Sequence, residues 1–237
     1  MNRFRQGLAR LWLSLQRPIL RRRVGRLVLE RIDGVGLVVL PEVFNPVIFR
    51  SSALLAHTVV TSPLAAPTDG RPTTPGEGEA RALDMGTGTG VVAIFAARRG
   101  FHTVGVDINP EAVRCARINA LVNHVEDRVE FRQGDLFDPV KGEHFQLVLF
   151  NPPFFRGAPR HALDAAWRGT DVMERFAAGL PGALAPKGRA LIVLSTDGDA
   201  EAMLRALREQ GLAVAVATRR DYGNEIMTIY AASRREE

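Results

Sequence analysis

The chain has 237 residues, enough for one domain with an appendage, of which 46% are hydrophobic and 24% charged. That balance excludes a disordered chain, and no uninterrupted apolar run approaches the ~20 residues of a membrane-spanning helix. A single cysteine, Cys115, excludes an internal disulfide framework and a cysteine-only metal cluster and fits a reducing compartment, which makes the cytoplasm the expected location. The five histidines show no ligand spacing, so no metal site is expected.

The formal charge of +5 is unevenly spread: Arg3, Arg5, Arg10, Arg17, Arg21, Arg22, Arg23 and Arg26 all precede the first acid, Glu30. Leu8, Leu11, Trp12, Leu13 and Leu15 are followed at once by further arginines, unlike the apolar core and cleavage site of a signal peptide, so the arm reads as part of the mature protein. Two readings stand side by side. The arginines contact RNA, a ribosomal surface or anionic lipid, or an amphipathic helix packs its apolar stripe on the body and leaves them solvated.

Next come two β-rich runs, Arg26 to Ile32 and Val35 to Leu40, joined by Asp33-Gly34, a dipeptide that predicts a tight hairpin. Residues 1–60 are therefore read as a basic N-terminal helix and β-hairpin extension. Between 61 and 79, Pro63, Pro67, Pro72 and Pro75 alternate with Gly70, Gly76 and Gly78 and offer almost nothing to bury, which predicts a mobile surface loop.

Residues 80–237 are expected to form the catalytic domain, because from Ala80 short apolar runs alternate with helical patterns, as in a parallel sheet covered on both faces. Seven strands are predicted: Ala82 to Met85, His102 to Ile108, Val129 to Gly134, Phe145 to Phe150, Arg189 to Ser195, Ala213 to Arg219 and Ile226 to Ala231. Helices are predicted to begin near Gly90, Pro110, Thr170 and Asp199, with Asn109 as the N-cap of the second. Only Asp221 to Asn224 separates the last two strands, too short for a helical crossover, so they must be antiparallel. The expected fold class is α/β, a Rossmann-like, seven-stranded, mostly parallel sheet with a C-terminal antiparallel hairpin.

The turn Asp84-Met85-Gly86-Thr87-Gly88-Thr89-Gly90 follows the first of these strands and opens a helix, where glycines let a backbone turn sharply and approach a ligand. Alone it could be a bare strand-to-helix connection. Asp107 ends the second strand, where a carboxylate can accept from both hydroxyls of a ribose, and Asp135 with Leu136 follows the third, beside an expected adenine. Dinucleotide sites space their glycines G-x-G-x-x-G so that a helix N-terminus faces a pyrophosphate, whereas here the third glycine comes one residue early. Asp84 would also repel a phosphate. A carboxylate there suits a cationic, phosphate-free ligand, and S-adenosylmethionine is the expected cofactor, held by Asp84, Gly86, Thr87, Gly88, Gly90, Asp107, Ile108, Asp135, Leu136 and Asn151.

The buried run Leu147 to Phe150 leads directly into Asn151-Pro152-Pro153-Phe154, at the same sheet edge as Gly86 and Asp107. Two prolines remove two donors and leave carbonyl oxygens free, and the Asn151 side chain offers another acceptor. Such acceptors can grip an NH2 group and help to localise its delocalised lone pair toward a methyl donor, without a strong base. Phe154 offers a flat face for a planar substrate. The bland alternative is that Asn-Pro-Pro merely ends a strand.

With these motifs the chain resembles the class I methyltransferases, and within them the HemK-like family of protein glutamine methyltransferases. The likeness runs from about Val43 to the C-terminus. It rests on Asp84 to Gly90, Val106 to Ala112, Phe150 to Phe154, and Ala165-Ala166-Trp167-Arg168-Gly169 leading to Val172 to Phe176. The resemblance implies that Asn151 and Pro152 position a glutamine amide, Phe154 packs on it, and Asp84, Gly86, Asp107 and Asp135 hold the cofactor. It also implies a translation release factor as protein substrate and, for the short form of the family, a partner subunit. Two departures are visible. The family more often has tyrosine at the place of Phe154, where phenylalanine is frequent among adenine methyltransferases acting on RNA or DNA. Its upstream motif resembles Val43-Phe44-Asn45-Pro46, but the acidic residue that should follow has no counterpart in Val47 to Ser52. Protein glutamine and nucleic-acid adenine therefore both remain candidate substrates, and a non-catalytic binding protein is a third reading, against which the complete Asn151 to Phe154 motif speaks.

Overall fold

The computed structural model describes residues 25–67, 80–158, 166 and 168–235. The arginines ahead of Arg26, most of the proline-rich loop, Ala165 and Trp167 lie outside the described residues.

Strands β1 (Val28–Ile32) and β2 (Val35–Val39) form the predicted hairpin, with Ile32 paired to Val35. Asp33 and Gly34 at its tip both have positive φ, 43° and 85°, the geometry of a two-residue turn whose twist matches that of the strands. After the hairpin the chain forms a short helix α1 (Pro46–Phe49), capped by Asn45, whose side chain accepts from the Val47 and Ile48 N–H groups. Helix α2 (Ser51–Thr61) follows. No sequence signal marks this stretch as helical. Its start carries neither a side-chain cap nor an acid in the first turn, and Arg50 ahead of it is in the left-handed region at φ 58°. What holds it helical is packing: Leu54, Leu55, Ala56 and Val59 are buried in the main core.

The catalytic region then alternates as predicted through β3 (Arg81–Met85), α3 (Val91–Arg98), β4 (His102–Asp107), α4 (Pro110–Val122), β5 (Val129–Gln133) and β6 (Phe145–Phe150). Asn109 caps α4, accepting from the Glu111 N–H at 3.0 Å with Pro110 in the first turn. Two short strands, β7 (Phe155–Arg156) and β8 (Arg168–Gly169), pair in parallel and lead to α5 (Val172–Ala183). The chain ends in β9 (Leu184–Ser195), α6 (Ala200–Glu209), β10 (Leu212–Asp221) and β11 (Ile226–Arg234). The ninth strand thus begins five residues before the predicted Arg189. The β10–β11 connection is antiparallel, as its brevity requires.

The large sheet has the order β10-β11-β9-β6-β3-β4-β5, with β11 antiparallel to both neighbours and the other six strands running in one direction. Alternation along each central strand feeds two core layers. Leu147, Leu149, Leu191 and Val193 join the layer containing α2 and α3, while Val148, Phe150, Ala190 and Ile192 join that of α5 and α6. The hairpin is tied to this body by Asn119 of α4, which is fully buried. Its side chain accepts from the Val38 N–H at 2.7 Å and donates to the carbonyls of Val38 and Thr89 at 2.8 and 2.9 Å. One amide therefore joins the hairpin, the helix and the glycine turn.

Candidate active site

Strand order reverses on either side of β3: the chain moves from β3 out to β4 and β5, then returns to place β6 on the other side. A crevice opens where carboxyl ends on either side of such a switch diverge. A cavity of about 310 Å³ lies there, its walls including Gly86, Thr87 and Gly88 after β3, Asp107 and Ile108 after β4, Asp135 and Leu136 after β5, and Asn151 and Pro153 after β6. Most of the predicted site residues are thus brought to one wall. Asp84, Gly90, Pro152 and Phe154 are not part of it.

Asp84 is placed beneath the turn, at 3% exposure. One of its oxygens accepts from the Thr87 hydroxyl at 2.7 Å and from the Ala93 N–H at 3.1 Å, so its carboxyl braces the glycine turn against the start of α3. Burial pushes Asp84 up to about 7; the two hydrogen bonds oppose this and the neighbouring charge of Asp107 adds to it. Its carboxyl thus lies outside the cavity wall, turned by these two bonds toward the start of α3. Gly86, Gly88 and Gly90 all have positive φ, at 65°, 54° and 78°, which lets the turn fold back on itself and close with a 2.8 Å bond from the Gly90 N–H to the Thr87 carbonyl.

Asp107 faces the cavity from the end of β4. Its two oxygens accept from the Gly88 and Asn109 N–H groups, each at 2.9 Å, and burial raises its pKa above the ordinary carboxylate range while these bonds hold it down in part. Each oxygen keeps a further lone pair for a ligand hydroxyl. Beside it Ile108 is 57% exposed, an apolar side chain of the kind a flat base would cover. Asp135 is paired to Arg175 of α5 at 2.7 Å, which ties the loop after β5 to that helix. Phe150 forms the floor and is stacked on Phe176, ring centroids 4.1 Å apart.

At the end of β6 the Nδ2 atom of Asn151 lies 3.0 Å from both the Ser51 and the Ser52 hydroxyl oxygens, at the start of α2. Asn151 is on the cavity wall, and among the described residues no hydrogen bond occupies its side-chain oxygen. Phe154 stands off the wall: its backbone and β-carbon run against Gly198 in the turn between β9 and α6, where an added β-carbon would meet them at 2.9 to 3.0 Å. The segment Glu42 to Phe44 closes another side, held by the bond from the Asn109 side-chain N–H to the Glu42 carbonyl at 2.9 Å. Ser51, Ser52 and Arg175 are participants to which the sequence assigned no role in the site. No spacing could point to Ser51 and Ser52, which stand 100 and 99 residues from Asn151. Cys115 is core: it is fully buried, and desolvation pushes its thiol up to about 11.

The wall carries the carboxylates of Glu42, Asp107, Asp135 and Asp171 against the guanidinium groups of Arg168 and Arg175. An acidic, partly apolar cavity beside a glycine turn without lysine fits a cationic nucleoside and disfavours a pyrophosphate. Residues 72–222 match the family described as methyltransferase small domain. The chain belongs to that family. As a member it is an S-adenosylmethionine-dependent N-methyltransferase, and the cofactor suits the observed walls. A Methanocaldococcus jannaschii protein named for N5-glutamine methylation is 30% identical over 197 residues, covering 79% of this chain and 90% of its own. The tRNA1(Val) (adenine(37)-N6)-methyltransferase of Porphyromonas gingivalis is 33% identical over 127 residues, 48% of this chain and 49% of its own. Among solved structures, that of the E. cuniculi Mtq2–Trm112 complex, which methylates the termination factor eRF1, superposes with a TM-score of 0.57 at 18% identity, covering 82% of this chain and 99% of that one. This last likeness shows the fold. Among the described residues no helix is long and apolar enough to cross a membrane.

Proposed function

We propose that this methyltransferase modifies the side-chain amide nitrogen of a glutamine in a protein substrate, and that the substrate is a translation release factor. The carrying observation is the geometry of Asn151, whose NH2 group is occupied by Ser51 and Ser52 while no hydrogen bond among the described residues occupies its oxygen. That oxygen and the backbone carbonyls of Asn151 and Pro153, both on the cavity wall, would form a set of acceptors suited to the two hydrogens of an amide. When bound, S-adenosylmethionine supplies an electrophilic methyl group on a sulfonium. Gly86, Gly88, Asp107 and Ile108 would hold it, with Asp84 bracing their turn from below. Asn151 and the Pro153 carbonyl orient the amide so that its lone pair, rather than an N–H, faces the methyl group, and alignment of this kind lowers the barrier without a base. The surplus proton on nitrogen is acidic once the new bond forms and leaves to water.

The relative that shares 90% of its length with this chain is named for glutamine methylation, whereas the likeness to the tRNA adenine enzyme covers about half of either chain. Adenine remains the second reading, since its exocyclic amine presents the same two hydrogens and Phe154 is the residue type common in such enzymes. The arginines ahead of Glu30 would bring the enzyme to ribosomal or RNA-bound targets in the cytoplasm, and a small partner subunit, like that of the E. cuniculi complex, is part of the same proposal.

Labelled methyl donor and a cell extract, followed by protease or nuclease, test the assignment. Label lost to protease and recovered as N5-methylglutamine is the expected outcome; label that resists protease and vanishes with nuclease would sink the glutamine reading. In the same assay Asn151→Ala should lose at least about 100-fold in rate, the scale of a lost group that orients the reacting atom, with donor binding intact. Retained turnover would refute the acceptor role.

A further inference from the structure

A carboxamide has two ends of nearly the same shape and opposite chemistry. If the oxygen of Asn151 faces the cavity it accepts from a substrate NH2; if the nitrogen does, two N–H groups confront two N–H groups and the substrate is repelled. Nothing in the Asn151 backbone chooses between these, because rotation about the last side-chain bond is soft. The choice must come from neighbours.

We propose that Ser51 and Ser52 are positioning residues that set this orientation. The proposal rests on the reading of Asn151 as the acceptor for the substrate NH2. Both hydroxyl oxygens lie 3.0 Å from Asn151 Nδ2, one for each of its N–H groups, so the nitrogen is fully engaged on the side away from the substrate. The fold delivers the pair together. Arg50, at φ 58° and ψ −24°, breaks the path of α1 and starts α2 in a new direction, which places Ser51 and Ser52 in the first turn facing the end of β6. Ser51 is buried at 1% exposure and Ser52 lines the cavity, so one anchor is withdrawn from water and the other meets the site. Neither hydroxyl is spent on capping its helix.

Because a hydroxyl can donate or accept, the decisive variant is one that can only accept. Ser52→Asp presents a carboxylate, which would keep the Nδ2 group turned toward it but would repel the side-chain oxygen if the true orientation were reversed. The assay uses the full chain, labelled donor, and nuclease-treated cell extract as the methyl-accepting probe, with S-adenosylhomocysteine affinity measured by calorimetry as the readout of an intact cofactor site. Ser52→Ala should lower the initial rate at saturating donor about 3- to 10-fold, the value of one hydrogen bond, and the double variant Ser51→Ala/Ser52→Ala about 10- to 100-fold. Affinity for S-adenosylhomocysteine should stay within about twofold in all of them, and Ser52→Asp should recover part of the rate that Ser52→Ala loses. Full rate in the double variant overturns the proposal. So does a Ser52→Asp rate as low as that of Ser52→Ala, or a parallel fall in S-adenosylhomocysteine affinity, which would mark a merely structural role. If wild-type protein labels nothing in the extract, it is the methyl-acceptor reading that falls, and this inference with it.

Discussion

Gly90 stands immediately before α3 at φ 78°, and a β-carbon built on it would lie 2.9 Å from Ala116 Cβ, 3.1 Å from Ala116 Cα and 3.3 Å from Phe131 Cζ. The Phe131 ring can rotate aside. Ala116 cannot, since it is a fully buried residue of α4 and the atoms met are its backbone Cα and the Cβ fixed to it. In Gly90→Ala two costs add: about 1 to 2 kcal/mol for alanine in the left-handed region, and about 1 to 3 kcal/mol for overpacking the contact between α3 and α4. The reduced freedom of the unfolded chain returns about 0.4 to 1 kcal/mol. A net loss of roughly 1 to 4.5 kcal/mol follows. Gly88 is the control, because at φ 54° its β-carbon would meet only the Gly86 carbonyl, at 4.0 Å. Gly88→Ala should therefore lose only about 1 kcal/mol. Urea denaturation of both variants at unchanged m gives the two values directly. The reasoning is refuted if Gly90→Ala unfolds within about 0.5 kcal/mol of wild type, or if Gly88→Ala is destabilised just as much.

The elevated pKa of Asp84, about 7 against an ordinary 3.8, makes stability of the ligand-free protein depend on pH. An acid that binds its proton more tightly when folded stabilises the fold fully below about pH 4, and that contribution is lost as pH rises to about 7, on the order of 4 kcal/mol across the window. Asp84→Asn removes the titration, so its stability profile should be flatter than that of wild type between about pH 4 and pH 7, as read by urea midpoints; parallel profiles would exclude Asp84 as the source. Asp107→Ala takes the acceptor from the Gly88 and Asn109 N–H groups and from a bound ribose, and should weaken S-adenosylmethionine by roughly 10- to 100-fold in calorimetry. An unchanged affinity would remove Asp107 from the cofactor site.

Much of the fold was legible because the relevant forces are local in sequence. The β1–β2 turn was announced by Asp33-Gly34, since few residues other than glycine, asparagine and aspartate tolerate positive φ, and the start of α4 by Asn109-Pro110, where cap and ring satisfy the open end of a helix. Helix α2 was not, because its helicity rests on burial against α3 and β9 rather than on any cap. Asp84 shows the same limit in the site. The sequence placed its carboxylate beside the glycine turn, but whether it points at the ligand or at the Thr87 hydroxyl and Ala93 N–H depends on which layer the strand end faces.

By itself, then, the sequence determined the layer architecture, the antiparallel end of the sheet, and the edge at which the glycine turn, Asp107 and Asn151 must meet, because strand period and chain direction carry that information along the chain. Tertiary structure alone decided that Asn151 turns its nitrogen to Ser51 and Ser52, that Phe154 backs onto Gly198 and stands off the cavity, and that Arg175 takes up Asp135. These are contacts between segments 40 to 100 residues apart, and only the packed core brings such segments within hydrogen-bonding distance.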